Sequence, residues 1–145
     1  MVDKFTSGQD WELVALVCQA YRSLSDSFFD RIGMHRAQAK VLCRLYVQDG
    51  MTQSEIGKQL SVQGATVTNM LQRMEETGLI TRRRDPDDNR LVRVYLSEAG
   101  RENELTITEQ FLKLESTVFL GIDEGDRALF RQVLRQMLHN MGTEG

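Results

Sequence analysis

Residues 51–96 read MTQSEIGKQLSVQGATVTNMLQRMEETGLITRRRDPDDNRLVRVYL. Thr52 and Glu55 stand in a T-x-x-E capping box, so a helix starts there. Ile56 and Leu60 lie one turn apart on its inner face, and Gly57 between them lets another helix approach. Ser61-Val62-Gln63-Gly64 is a turn. In the second helix Val67, Met70, Leu71 and Met74 recur at three and four residues and face inward. Gly78 ends that helix as a C′ glycine. Two strand-like runs follow, 79–84 and 91–96, the second alternating clearly. Their connector, Asp85-Pro86-Asp87-Asp88-Asn89-Arg90, holds the chain's single proline and several turn formers.

The inward positions leave Gln63, Gly64, Thr66, Thr68, Asn69, Gln72 and Arg73 facing out. This set is small, hydrogen-bonding and, but for Arg73, uncharged. Such a surface suits the edges of bases: Asn and Gln pair bidentately with adenine, and Thr bonds a base or touches the thymine methyl. The hairpin tip offers Arg90, and a narrow minor groove attracts an inserted arginine. Arg82, Arg83, Arg84, Arg90 and Arg93 crowd into twelve positions. Free aspartates would repel phosphate there, so Asp88 and its neighbours are expected to hold arginines by charge-assisted bonds. The plainer alternative is a salt-bridged surface hairpin.

The expected fold is mainly α with a small β-hairpin: a winged helix-turn-helix core with helical flanks that dimerise. Expected DNA-binding residues are Gln63, Gly64, Thr66, Thr68, Asn69 and Arg73 on the helix, with Arg84, Arg90 and Arg93 on the wing. Asp88 is expected to position the wing. The net charge of −3 argues against a nucleic-acid partner until its distribution is read. Residues 52–96 carry seven Lys/Arg against six Asp/Glu, and the rest carries eleven against fifteen.

The flanks read as helices. Residues 11–32 hold a broad apolar face of Leu13, Val14, Leu16, Val17, Ala20, Tyr21, Leu24, Phe28 and Phe29. A helix over 36–47 turns Ala37, Val41, Leu42, Leu45 and Tyr46 inward. Arg36, Lys40 and Arg44 form a ladder on its other side, read as a solvated face. Ser97 caps a helix running to about Leu120, and Asp123 starts the last one, which carries Leu129, Phe130, Val133, Leu134, Met137, Leu138 and Met141. That is more apolar surface than a small winged domain covers, and a symmetric dimer of the first, fifth and sixth helices accounts for it. The division is a dimerisation helix at 1–34, a DNA-binding domain at 35–96 and C-terminal dimerisation helices at 97–145.

The segments TQSEIGKQL, ATVTNMLQRMEETGLITR and DPDDNRLVRVYLSEAG resemble the multiple antibiotic resistance regulator (MarR) family of bacterial transcription regulators. The Asp-Pro pair followed by Asp88-Asn89-Arg90 matches the family's wing signature. Asn69, in the second helix, departs from the family's pattern, since many members carry a basic residue there. The resemblance implies a homodimer that binds a palindromic operator on double-stranded DNA as a repressor. It also implies release by a small aromatic or phenolic ligand held between the dimer helices and the winged domain. Trp11, Tyr21, His35 and Arg36 are the candidates for lining that crevice, although each aromatic read singly is an ordinary interface residue.

Other classes have less to stand on. The two His, at 35 and 139, and the two Cys, at 18 and 43, lie in different expected helices, and no spacing suggests a metal. There is no glycine-rich phosphate loop and no nucleophile elbow. No enzyme, cofactor or metal is expected. An oxidant-sensing regulator of the same fold is one alternative, through Cys18, but its apolar neighbours predict a buried, inert thiol. A protein-interaction module that has lost DNA binding is another, and the intact Arg90 speaks against it. No long apolar run predicts a membrane span and no secretory signal is seen, so a cytoplasmic protein is expected.

Overall fold

The computed structural model describes residues 8–143. They fall into two compact units, divided between Phe111 and Leu112.

The first unit begins with α1, Asp10–Asp30. Only its C-terminal half packs into the chain's core, through Ser25, Phe28 and Phe29. Trp11, Leu13, Val14, Leu16, Val17 and Tyr21 remain at least 40% exposed. Cys18 is exposed as well, against the expectation of burial, because the apolar residues around it, Val14, Leu16 and Val17, are themselves left uncovered among the described residues.

Helix α2 spans Arg36–Val47. Its core face is Ala39, Val41, Leu42 and Leu45. Ala37, expected inside, faces solvent, since the packed stripe steps by three residues from Ala39 to Leu42 to Leu45. Strand β1 (Met51–Thr52) precedes α3 (Gln53–Leu60), and the capping box forms as expected. Thr52 Oγ1 accepts from the Glu55 amide at 3.2 Å, and the Glu55 carboxylate accepts from the Thr52 amide at 2.8 Å. Ser61 takes the left-handed conformation (φ 54°) at the turn, and α4 follows over Gly64–Glu76. Gly57 sits where a Cβ would meet Val67 Cγ2 at 3.1 Å and the Val62 carbonyl at 3.2 Å. A larger residue there would push α3 and α4 apart.

Strands β2 (Ile80–Arg84) and β3 (Val92–Leu96) form the hairpin. The sheet has a third strand that was not expected. Its order is β1-β3-β2, with Thr52 opposite Arg93, and Arg82 opposite Val94. Two residues are too short to show alternation, so β1 leaves no trace in the pattern. Phe29, Leu42, Leu45, Ile56, Leu71, Met74, Ile80, Val94 and Ile107 form the core beneath it, and the Phe29 and Phe111 rings lie 4.8 Å apart.

The helix expected from Ser97 to Leu120 is broken. Ser97 Oγ accepts from the Gly100 amide at 3.0 Å and starts α5, Glu98–Glu102; α6 then covers Glu104–Val118. At the break, Asn103 Nδ2 donates to the Ala99 carbonyl at 2.8 Å, a side-chain bond that competes with the helical ladder. Gly100 packs against the chain leaving α4: a Cβ there would stand 2.2 Å from the Leu79 carbonyl oxygen.

In the second unit Asp123 caps α7, Glu124–Asn140, its Oδ1 accepting from the Asp126 amide at 2.9 Å. Phe119 and Phe130 meet edge to face at 5.8 Å, and Arg127 lies over the Phe119 ring while pairing with Glu115. No α7 residue is buried. Leu129, Phe130, Val133, Leu134, Leu138 and Met141 are all exposed. No helix among the described residues is long and apolar enough to cross a membrane.

Candidate nucleic-acid interface

Helix α4 buries Val67, Leu71 and Met74 and thereby turns the rest of its surface outward. Gln63, Gly64, Thr66, Thr68, Asn69, Gln72 and Arg73 are all exposed. Met70, expected inside, is only partly buried. The helix begins openly: Gln63 takes the N-cap position with extended backbone, and its side chain makes no capping bond. Thr68 Oγ1 donates to the Gly64 carbonyl at 2.9 Å. Its proton is therefore spent within the helix, and its oxygen faces out as an acceptor. Gln72 Nε2 donates to Glu76 at 3.1 Å. Between α3 and α4 lies a notch of about 530 Å³, lined among others by Ser54, Lys58, Ser61, Gly64 and Thr68.

The wing is built around Asp85, 7% exposed. One carboxylate oxygen accepts from the amides of Asp87 (2.8 Å) and Asp88 (3.1 Å), which folds the turn. The other accepts from Arg93 Nε. The Arg93 bond, with the turn amides, holds the Asp85 carboxyl below the usual carboxylate range and raises the Arg93 guanidinium in turn. Arg93 also donates from Nη1 to the Gly50 carbonyl at 2.9 Å. So Arg93, expected to face DNA, is tied into the body of the wing.

Arg90 is placed otherwise. Its side chain is 89% exposed at the hairpin tip. Asp88 accepts from its Nε and Nη2 at 3.0 Å each, and from its backbone amide at 3.1 Å. Asp88 thus holds an arginine fork, as expected of it, and the Arg90 bond lowers its pKa. Arg84 Nη1 donates to the Asn89 carbonyl at 2.7 Å, while Arg83 stacks on Tyr95 with its guanidinium 4.2 Å from the ring centre.

Arg82 was counted in the sequence only as part of a basic run. It turns away from solvent. Its Nη1 donates to Gln53 Oε1 at 3.1 Å and its Nη2 to Glu75 Oε1 at 3.3 Å, while its backbone amide donates to Glu75 Oε2 at 3.0 Å. Gln53 lies 29 residues away in the chain, so no local pattern announces this joint.

The four candidate ligand residues do not come together. His35 and Arg36 line a cleft of about 1090 Å³ shared with Thr66, Asn69 and Arg73, and Arg36 pairs with Asp26 at 3.2 Å. Trp11 and Tyr21 do not line it; Trp11 Nε1 donates to Gln9 at 2.8 Å. In the α2 ladder, partial burial lowers the Lys40 pKa, assisted by the charges of Arg36, Arg22 and Arg44. Burial pushes the Cys43 thiol up, which leaves it a poor nucleophile.

A helix with an exposed hydrogen-bonding face, uncharged but for Arg73, seated on a helix-turn-helix and flanked by a hairpin with an arginine at its tip, defines a winged helix-turn-helix DNA-binding regulator. Residues 34–92 match the model of the MarR family. The chain is 32% identical over 106 residues to the HTH-type transcriptional regulator YwoH of Bacillus subtilis, covering 73% of this chain and 77% of that one. It is 25% identical over 130 residues to the HTH-type transcriptional repressor IacR of Pseudomonas putida, covering 90% and 78%. The crystal structure of the S. aureus MepR–DNA complex superposes with a TM-score of 0.82 at 25% identity, covering 94% of this chain and 99% of that one. The chain belongs to the MarR family of DNA-binding transcription regulators.

Proposed function

We propose that the chain is a repressor that binds a palindromic operator as a homodimer. Residues 35–96 bear the DNA contacts, and the flanks, 1–34 and 97–145, bear the dimer. The observation that carries this reading is the pairing of two exposed features: the polar face of α4 and the Arg90 fork at the wing tip. Gln63, Gly64, Thr66, Thr68 and Asn69 read base edges in the major groove. Arg73 and Arg84 meet phosphates, Arg90 enters the minor groove, and Arg93 supports the wing from within. The exposed apolar residues of α1 and α7 call for a covering surface, and a second copy supplies one. A repressor's role is supported by the likeness to IacR. Action on DNA supports a cytoplasmic location.

Selection of bound duplexes from a random pool tests the reading. The expected product is an inverted repeat whose half-site centres lie about 10 base pairs apart, because two recognition helices related by a two-fold enter successive major grooves. An enriched site without dyad symmetry would overturn it.

The cleft beside α4 supports release by a small aromatic or phenolic anion. It offers the Arg36 cation and the His35 ring next to residues of the recognition face. A ligand seated there shifts the population of DNA-competent states only by binding one state better than the other. Titrating salicylate-like anions into the operator complex, with anisotropy as the readout, checks this; no release by any member of the series removes the ligand reading. A second reading, oxidant sensing, is favoured by the exposure of Cys18 within the protomer. Thiol titration of the dimer separates the two, since an unreactive Cys18 excludes the redox route.

A further inference from the structure

Arg82 sits where three elements meet. Its backbone belongs to β2, its Nη1 donates to Gln53 in the first turn of α3, and its Nη2 donates to Glu75 near the end of α4. Glu75 spans the joint from the other side, its second oxygen accepting from the Arg82 amide. The Arg82 side chain is only 19% exposed, and its Nε is buried without a hydrogen-bond partner. Burying a guanidinium with an unmet donor is a poor way to gain stability alone. What the arrangement supplies is geometry. A planar fork that donates along two directions fixes the angle between the elements it joins, which a flexible ammonium does not do.

The two elements are the ones expected to meet DNA. Glu75 lies two residues beyond Arg73 on α4, and Arg82 lies on the strand that leads to Arg84 and the wing tip. Gln53 follows Thr52, which pairs with Arg93 of β3. A change in the Arg82 joint therefore alters how the hairpin stands relative to α4 without touching the outward polar face of α4 from Gln63 to Arg73 or Arg90 at the wing tip.

We propose that Arg82 is a positioning residue for DNA recognition, setting the angle between the recognition helix and the wing so that both engage the operator together. This rests on the reading above, in which α4 and Arg90 both contact DNA. Loss of the joint leaves each contact available but no longer in register with the other.

The test is a double-mutant cycle on operator affinity in the full-length chain. Arg90→Ala is measured in the wild-type background and with Arg82→Met, which keeps the apolar stem and removes the fork. The expected result is coupling. Arg82→Met weakens operator binding about tenfold, leaves non-operator binding unchanged, and removes most of the further loss that Arg90→Ala causes. Glu75→Gln, which keeps size and one acceptor, gives the same coupling in weaker form should Arg82→Met fold poorly. Arg82→Lys restores charge and melting temperature but not the coupling. Strict additivity of the Arg82 and Arg90 changes, or wild-type affinity in both Arg82→Met and Glu75→Gln, overturns the proposal. If Arg90→Ala costs nothing in any background, it is the wing reading that falls, and the positioning role falls with it.

Discussion

Three consecutive arginines go to three different places. Arg82 turns inward to Gln53 and Glu75, Arg83 lies on the Tyr95 ring, and Arg84 reaches the Asn89 carbonyl. Strand alternation sets Arg83 on the face opposite Arg82 and Arg84, yet charge alone does not tell which of them will be spent inside the protein. The same holds for Arg93, whose partner at Gly50 lies 43 residues away. Arg90 differs because its partner is local: Asp88, two residues earlier, was expected to hold an arginine, and the structure pairs it with Arg90 rather than with an arginine of the strands. Arg90→Ala is expected to weaken operator binding strongly and to flatten the dependence of log affinity on log salt by about one ion. Asp88→Ala is expected to lower operator affinity with little change in melting temperature, since the fork loses its pre-set rotamer. Tighter binding of every duplex by that variant would make Asp88 a simple repulsive charge. Thr68→Ala or Gln63→Ala should instead relax preference at particular base pairs, by about 1–3 kcal/mol for the preferred site.

Asp85 carries a pH signature. Its folded pKa is depressed by Arg93 and by the turn amides, so the folded wing binds a proton less readily than the unfolded chain. Its stabilising contribution is therefore complete above the ordinary carboxylate range, about 3.9, and is lost as pH falls through the lower folded value. Melting temperature followed against pH checks this. Asp85→Asn should melt below the wild-type chain at neutral pH, and the two curves should converge in acid. A constant gap down to the lowest pH would mean that the carboxylate is not what holds the wing.

At the scale of elements, local chemistry was readable and long-range pairing was not. The capping box at Thr52 and Glu55, the glycine C′ at Gly78 and the Asp123 cap each declare themselves within four residues, and each forms. Strand β1 exists because β3 lies beside it, so its two residues show nothing on their own. At the break the Asn103 side chain donates to the Ala99 carbonyl, a choice that no hydrophobic period announces. The open start of α4 makes a prediction of its own. Gln63→Ser places a good capping hydroxyl where the structure has none and should raise helix stability by about 1 kcal/mol. Thermal melting would show the gain, while operator affinity should fall because Gln63 is lost as a base reader. Gly100→Ala should act in the opposite direction on stability. Its Cβ would collide with the Leu79 backbone, costing roughly 1–3 kcal/mol by overpacking.

Over the whole molecule, the excess of apolar surface on the first and last helices was visible in the sequence, and both helices carry it exposed in the protomer. Which residues meet across an interface was not visible, because sequence periodicity marks a face and not its partner. Leu16→Glu or Val133→Glu places a charge within that surface and should yield a monomer by sedimentation at micromolar concentration. Operator affinity should then drop by more than an order of magnitude, since two half-sites are no longer engaged by one particle. A dimer that survives both changes would move the interface elsewhere.

The bond from the Arg82 amide to Glu75 has a consequence for the life of the protein in a crowded cell. Strand β2 is an edge of the sheet, and an unsatisfied row of amides on an edge is a template for another chain. The Glu75 carboxylate occupies the middle of that row and sets a negative charge in the path of an incoming strand. It acts as a gatekeeper as well as a brace. Glu75→Ala is therefore expected to aggregate on gentle heating well before the core unfolds, seen as light scattering ahead of the loss of helical circular dichroism.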